Sequence, residues 1–210
     1  MTNTIKYKGI YKDNSGSVDI NIENDFRNFS LEIDGVKFNG YEFSSLEILD
    51  KNNYSETQVA RFTLWKVPII GTTEQLTVDF LCNCSFEIII PQLIIDQQTN
   101  TLFSSDLKID YSLGKENPKP RGGLDFEKLT ISLTIEGVTK KSTSSDFESS
   151  FDYFYKKFGE RYKFKNCYGC AFSDYSVYGQ STFGTMLCFV EQKDAYLKVK
   201  TKIDYLKLRI

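Results

Sequence analysis

Alternation of apolar and polar residues is the feature of this chain that most constrains its fold. It recurs from residue 1 to about residue 137, in the runs IKYKGIYK, SVDINIE, FSLEIDGVKFNGY, QVARFTLWKV, QLTVDFLCNCSFEIII, LFSSDLKIDYSL and FEKLTISLTIEGV. Successive side chains of a β-strand point to opposite faces, so a period of two predicts strands with one buried face. Several such runs without a long helical pattern between them predict antiparallel sheets packed face to face.

Turn signals between these runs support the same architecture. Asp34-Gly35 lies between two alternating runs and predicts a tight hairpin, because both central positions of such a turn need a positive φ. The stretch GKENPKPRGG, residues 114–123, predicts an exposed connection between two strands, since the alternation resumes directly after it. We therefore predict a single domain over residues 1–210, with a β-sandwich part over residues 1–140.

The pattern changes from strand to helix at Ser144. Ser145 and Glu148 have the spacing of a capping box, and Gly159 suits a left-handed helix end. An aromatic stripe between them has helical spacing and consists of Phe147, Phe151, Phe154 and Phe158. The predicted fold class is thus α+β and β-rich: an antiparallel β-sandwich followed by one amphipathic helix and a cysteine-bearing C-terminal segment, residues 144–210, packed on it.

The absence of histidine restricts the chemistry that this chain can perform. Ser-His-Asp triads, Cys-His pairs, H-E-x-x-H zinc sites and imidazole proton shuttles all need a residue that the chain lacks. An enzyme would have to use carboxylate, thiolate, lysine or tyrosine chemistry. We therefore expect a binding or interaction protein, and the alternative is a thiol-dependent enzyme or redox sensor.

Three of the five cysteines lie in one aromatic-rich stretch, CYGCAFSDYSVYGQSTFGTMLCF, residues 167–189. Two thiolates separated by two residues can reach the same tetrahedral ion from one tight turn, and Gly169 frees the backbone for that turn. With the later cysteine, Cys167, Cys170 and Cys188 form a candidate zinc site. Zinc is the candidate cofactor, the alternative is that the chain binds none, and no other cofactor is expected.

The fourth zinc ligand is not evident in this stretch. Alternation in FLCNCSFEIII places Cys82 and Cys84 on the inward face of a strand, where either could complete the site if the C-terminal segment docked there; Asp174 or water are the other options. Inward cysteines are also ordinary buried apolar residues. Equally open are a reduced cluster that binds no metal and a redox or nucleophilic use of Cys167 or Cys170.

The run C-Y-G-C-A-F-S-D-Y-S-V-Y-G-Q-S-T-F-G-T-M-L-C-F, followed by A-Y-L-K-V-K-T-K-I-D-Y, resembles the signature of an uncharacterised bacterial domain-of-unknown-function family found in actinobacteria and Bacteroidota. The resemblance rests on residues 147–206 and covers the β-rich part only as a general pattern. Relatives often carry G-H where this chain has Gly179-Gln180, so an essential imidazole is not expected there. The resemblance implies a bacterial, cytoplasmic protein and implies no reaction.

Charge and chain ends bear on partners and location. Residues 151–210 carry 11 Lys and Arg against 6 Asp and Glu, whereas residues 1–150 carry 15 against 22. The overall pI of about 5.4 argues against a dedicated nucleic-acid protein, so a partner protein is the expected ligand. No signal-peptide core or membrane-length apolar run is present, which predicts a cytoplasmic protein. Size and the lack of familiar catalytic residues fit an immunity- or defence-associated role.

Overall fold

A computed structural model describes residues 4–25, 28–68, 77–118, 123–175 and 186–208 of the chain. Its first half contains β1 (Ile5–Asp13), β2 (Gly16–Asn24), β3 (Phe29–Ile33), β4 (Val36–Gly40), β5 (Glu47–Ile48), α1 (Glu56–Ala60), β6 (Leu64–Pro68) and β7 (Thr77–Leu81), with short 3₁₀ turns at Phe43–Ser45 and Lys51–Asn53. Its second half contains β8 (Cys84–Asp96), β9 (Thr101–Leu113), β10 (Glu127–Ile135), β11 (Val138–Ser144), α2 (Phe147–Phe158), β12 (Tyr162–Phe164), β13 (Ser173–Tyr175), β14 (Met186–Cys188), α3 (Lys193–Tyr196) and α4 (Lys202–Tyr205).

Twelve of the described strands are hydrogen-bonded into one antiparallel sheet, in the order β11-β10-β9-β8-β1-β2-β3-β4-β5-β7-β6, with β12 also paired to β8. The β-rich, mostly antiparallel α+β class predicted from the alternation is therefore confirmed. The predicted arrangement of two sheets packed face to face is not: hydrogen bonds between β1 and β8 join the first and second halves into a single sheet that does not close.

The long strand β8 organises the second half. One of its edges pairs first with β1, through Ser85 to Ile88, and then with β12, through Ile94 to Asp96. Its other edge pairs with β9 along its whole length. The helix α2 packs against β10, β11 and β12, so β8 links the N-terminal strands to the helical side of the molecule.

The core lies on one face of this sheet and is rich in aromatic rings. Tyr11, Phe86 and Tyr111 are fully buried on β1, β8 and β9. Phe43 joins them, with its ring centroid 4.9 Å from that of Phe86 and 5.5 Å from that of Tyr111. Over most of the sheet, the side chains that the alternation predicts to face inward are therefore buried.

Two stretches depart from the predicted strands. In FLCNCSFEIII, Asn83 adopts a left-handed conformation (φ 53°) and its N–H donates to the carbonyl of Gly114 (2.8 Å), which ends β7 and starts β8. The alternation is therefore out of phase across the turn, and Leu81 is buried instead of Phe80. In QVARFTLWKV, the first residues belong to α1, whose N-cap Ser55 accepts a hydrogen bond from Gln58 N.

Other local predictions are confirmed. Asp34 and Gly35 both have positive φ and connect β3 to β4 at the Ile33–Val36 pair. Glu127 of β10 pairs with Leu113 of β9, so the two strands that flank the predicted connection do form a hairpin, and residues 119–122 of that connection lie outside the described residues. Among the residues with a described position, no helix is long and apolar enough to cross a membrane.

The helix α2 begins one residue later than the capping-box pattern predicts. Asp146 is the N-cap: its carboxylate accepts a hydrogen bond from Ser149 N (2.7 Å), and Ser145 lies outside the helix. An aspartate at this position is ionised and stabilises the free N–H groups and the helix dipole, which favours it over the neighbouring hydroxyl. The predicted C-terminal stop is confirmed, because Gly159 has a positive φ of 60°.

Candidate functional site

The candidate site lies in the segment after β12, which we call the C-terminal module (residues 165–208). Its first residues continue along the edge of β8: Lys165 N donates to the carbonyl of Leu93 (2.8 Å), and Asn166 Nδ2 donates to Gln92 Oε1 (3.2 Å). The chain then leaves the sheet and turns at Cys167. The position of the first cysteine is thus fixed by the strand pairing that precedes it.

Cys167 and Cys170 lie at the ends of a tight turn. Cys170 N donates to the carbonyl of Cys167 (3.1 Å), and Gly169 has a φ of +73°, as the sequence predicts for this spacing. Ser173 reinforces the turn, because its Oγ donates to the carbonyls of Cys167 and Cys170. This turn presents two thiols from one short piece of backbone, which is the geometry of a metal knuckle.

Cys188 reaches the same place through a two-stranded ribbon. β13 and β14 are antiparallel, and Ser173 lies directly opposite Cys188. Residues directly opposite each other share a face, so Cys188 is on the face where Ser173 holds the turn. Asp174 points to the other face, where it accepts a hydrogen bond from the hydroxyl of Tyr196. The structure therefore places Cys167, Cys170 and Cys188 in the same region of the described chain, but not in an arrangement that could hold a metal ion, and it directs Asp174 away from them.

The three thiols are exposed, and the neighbouring cysteines affect the titration of Cys167. Partial burial, followed by the neighbouring Cys188 and Cys170, raises the pKa of Cys167 above its usual value. The pKa of Tyr155 is also raised, first by burial and then by Cys170. A thiol with a raised pKa stays protonated at neutral pH, so the surroundings of Cys167 do not activate it as a nucleophile.

An aromatic stack fastens the turn to α2. Tyr168 stacks on Phe151 and on Tyr155, with centroid separations of 5.1 and 5.9 Å. Its hydroxyl donates to Asp152 Oδ1 (2.8 Å), and the hydroxyl of Tyr155 donates to the carbonyl of Tyr168 (2.7 Å). Sequence reasoning missed this role: the tyrosine inside C-Y-G-C packs on the helix, and the helical spacing of Phe151 and Tyr155 was the available signal.

Cys82 and Cys84 lie in a different part of the molecule. Both are buried, and Cys82 N donates to the carbonyl of Thr63 (2.9 Å). Cys84 is at the start of β8, ten residues from Ile94, whose partner on β12 is Phe164. At about 3.3 Å per residue, ten residues span roughly 30 Å, and the three residues from Phe164 to Cys167 recover at most about 10 Å.

The inward pair therefore does not meet the other three thiols in this structure. Burial raises the pKa of Cys84, with smaller contributions from Cys82 and Asp13. Both cysteines behave as small apolar core residues at these positions. Within the ranges that the structure covers, no three or more His, Cys, Asp or Glu side chains are arranged to hold a metal ion as they stand.

Fold and site together define a class: a β-rich α+β protein with one extended antiparallel sheet and a small thiol-bearing module at its C-terminal end. The chain belongs to a family of unknown function (DUF6304), whose family model matches residues 5–173. The match covers the main sheet, Cys167 and Cys170, and ends before Cys188. No curated protein and no solved structure matches the chain.

The resemblance of the C-terminal third also implies membership of an uncharacterised family, in agreement with this match. The matched range differs from the range on which that resemblance rests, because it includes the whole β-rich part and covers the cysteine stretch only as far as Ser173.

Proposed function

We propose that this protein is a non-enzymatic binding protein whose C-terminal module is held together by a structural zinc ion and contacts a partner protein. The observation that carries the proposal is the convergence of Cys167, Cys170 and Cys188 through a glycine-containing turn and an antiparallel ribbon. Three thiolates supply three of the four ligands that a closed structural site needs, and neither Asp174, which faces away, nor the distant core cysteines supply the fourth.

The small core of the module supports a metal. Among its described residues, only Phe189 and Tyr205 are buried, and Tyr196 stacks on Phe189 with a centroid separation of 4.0 Å. A segment of this size buries too little apolar surface to be stable alone, and small modules commonly add a metal ion. Zinc would also reverse the mutual repulsion of the thiolates, since the ion binds the deprotonated form.

Exposed apolar residues of the module support a partner. Its C-terminal part carries several large apolar side chains that are more than half exposed: Val190, Leu197, Ile203 and Leu206. Lysines surround them in sequence, and residues 151–210 carry a net positive charge. Exposed apolar side chains with lysines as sequence neighbours fit an acidic protein surface. Burial of the apolar side chains would supply affinity, and the opposite charges would orient the partner.

Metal content and thiol counting test the zinc site. We expect about one zinc per purified chain by mass spectrometry, three thiols that react with an alkylating reagent only after chelation, and two that react only after unfolding. Cys170→Ser should abolish the bound zinc. The matched control, Cys82→Ser, should leave the zinc content unchanged.

A metal-free protein with one rapidly alkylated cysteine would reject the zinc site and favour the alternative, a thiol-dependent enzyme or redox sensor. Reaction of all three module thiols without chelator and at equal, slow rates would instead identify a reduced cluster.

The bacterial range in actinobacteria and Bacteroidota, the spaced cysteine signature, the cytoplasmic location and the immunity- or defence-associated role stay predictions from the sequence. The zinc test does not depend on the partner, so the zinc site and the partner interaction can fail separately.

A further inference from the structure

A groove crosses the solvent-facing side of the sheet, on the face opposite the aromatic core. It has a volume of about 730 Å³ and runs over β2, β1, β8, β9, β10 and β11. We call it the sheet-face groove. Its volume suits a small organic ligand, since ligand sites usually measure a few hundred to about 1,000 Å³.

The strand register arranges the lining of the groove in two rows of opposite charge. An acidic row follows the pairs Asp19–Ile10, Ile10–Glu87 and Glu87–Asp110. A basic row lies two residues further along the strands and contains Lys8, Lys108 and Lys141. Two residues along a strand span about 7 Å, which exceeds the reach of an ion pair between the rows unless a lysine folds back.

The described part of the chain leaves most of these charges without an opposite charge at contact distance. No carboxylate of a described residue lies within 4.0 Å of the ammonium groups of Lys8, Lys108 and Lys141. In the acidic row, Glu87 pairs with Lys12 at the rim. Asp110 receives a long hydrogen bond of 3.4 Å from Ser112 Oγ.

Direct opposition of Glu87 and Asp110 is unfavourable in the free protein. Like charges directly across an antiparallel pair repel each other, and Lys12 compensates only the first of the two. An ammonium group between these carboxylates would relieve the repulsion. An anionic group about 7 Å away would meet Lys108 on the same strand, with Lys8 across the groove.

Each row contains one apolar residue, Ile10 in the acidic row and Ile89, opposite Lys108, in the basic row. Ile10 and Ile89 lie diagonally on neighbouring strands, and Ile89 is 49% exposed. A large aliphatic side chain so exposed at the centre of a charged groove offers contact for an apolar group of a ligand.

We propose that the sheet-face groove binds a small zwitterion whose ammonium and carboxylate groups are about 7 Å apart and are joined by an apolar body. A dipeptide has these dimensions, because an extended chain spans about 3.3 to 3.6 Å per residue. The ammonium group lies between Glu87 and Asp110, the carboxylate meets Lys108, and the apolar side chain covers Ile89. This site is separate from the thiol site and does not depend on the proposed zinc.

Isothermal titration calorimetry of the full chain with alanyl-leucine tests the proposal. We expect a dissociation constant between about 0.1 and 1 mM, as is usual for a ligand of this size. The N-acetylated and the C-amidated dipeptides should each bind about tenfold more weakly, because each lacks one charged contact. No saturable binding, or equal binding of the capped forms, would overturn the proposal.

Substitutions assign each end of the ligand. Lys108→Gln should lower the affinity for the dipeptide about tenfold, but it should bind the C-amidated dipeptide as tightly as the wild type does. Asp110→Asn should likewise lower the affinity for the dipeptide about tenfold and leave that for the N-acetylated dipeptide unchanged. Lys128→Gln, on the same face but outside the groove, is the matched control and should change neither affinity. An equal loss in Lys128→Gln would show a general charge effect and reject the site.

Discussion

Arg61, at the end of α1, forms the ion pair whose removal we expect to lower the free energy of unfolding more than removal of any other ion pair described above. Its guanidinium bonds Asp13 and also Asp34 Oδ2 (2.9 Å), so it joins the end of β1 to the β3–β4 turn. The Asp13 side chain is only 8% exposed and also accepts a hydrogen bond from the Tyr11 hydroxyl (2.8 Å). Arg61→Ala leaves this covered carboxylate without its cation.

The expected loss of stability follows from the exposure of each partner. A buried pair that loses one member costs about 3 to 5 kcal/mol, and the 21% exposure of Arg61 reduces this to about 2 to 3 kcal/mol. The half-exposed Asp34 adds little. For a domain of this size the melting temperature should fall by roughly 4 to 12 °C.

The loss should depend on pH. Burial by itself would raise the pKa of Asp13, but hydrogen bonds from Arg61, Ser15 N and Tyr11 outweigh it and lower the pKa below its usual value. A lowered folded-state pKa stabilises the protein above the unfolded pKa of about 3.9 and loses that effect as the pH falls through the folded pKa. The gap between wild type and Arg61→Ala should therefore be full at pH 7 and shrink below about pH 4.

Urea denaturation at pH 7 and pH 3, followed by circular dichroism, measures both effects. Lys12→Ala is the control, because its pair with Glu87 is about 40% exposed on both sides and should be worth at most about 0.5 kcal/mol. A loss for Arg61→Ala no larger than that of the control, or a gap that is constant down to pH 3, would refute the reasoning.

Three further predictions concern the helix and the core. Asp146→Ala should lower the free energy of unfolding by about 1 kcal/mol in a denaturation experiment, whereas Ser145→Ala should hardly change it. The reverse order would show that Ser145 is the N-cap, as the sequence pattern suggests. Phe154→Ala, at a fully buried position, should cost about 3 to 5 kcal/mol, clearly more than Phe151→Ala at a half-buried one; equal losses would contradict the packing of α2. Alkylation at pH 8 followed by mass mapping should leave Cys84 unmodified in the folded chain, because burial raises its pKa, and rapid labelling of Cys84 would show that β8 opens.

Much of the sheet could be predicted because its signals are local. Alternation depends only on a strand having one buried face, and the Asp34-Gly35 turn depends only on the backbone conformation of these two residues. Both can therefore be predicted without knowledge of the partner strands. The helical spacing of Phe154 and Phe158 is equally local, and both are buried in α2.

Departures arise where tertiary contacts decide. A single left-handed residue, Asn83, separates β7 from β8, and nothing in the alternation marks it because Cys82 and Cys84 remain apolar on both sides. Likewise, face-to-face sheets and one continuous sheet give the same alternation, and only the pairing of β1 with β8 distinguishes them.

For the candidate site, the sequence predicted the tight turn between Cys167 and Cys170, which Gly169 marks locally, and the zinc site stays a prediction. The sequence could not place Cys82 and Cys84 relative to them, because that distance depends on how far along β8 the short strand β12 pairs. The groove on the sheet was invisible for the same reason: its charged rows arise from five strands whose register no local pattern sets.

The double use of one edge of β8 sets an order for folding. The hairpins on either side form from neighbouring segments, such as the β1–β2 pair closed at Asp13 and Gly16, whereas Lys12 and Ser85 are 73 positions apart in the chain (85 − 12) and their pairing must close that whole stretch. Loop closure of that length is entropically costly and slow, so the two halves should form as separate units before β1 finds β8. β12 belongs to the second half and occupies the rest of the same edge of β8 through three paired residues, so its pairing does not wait for β1.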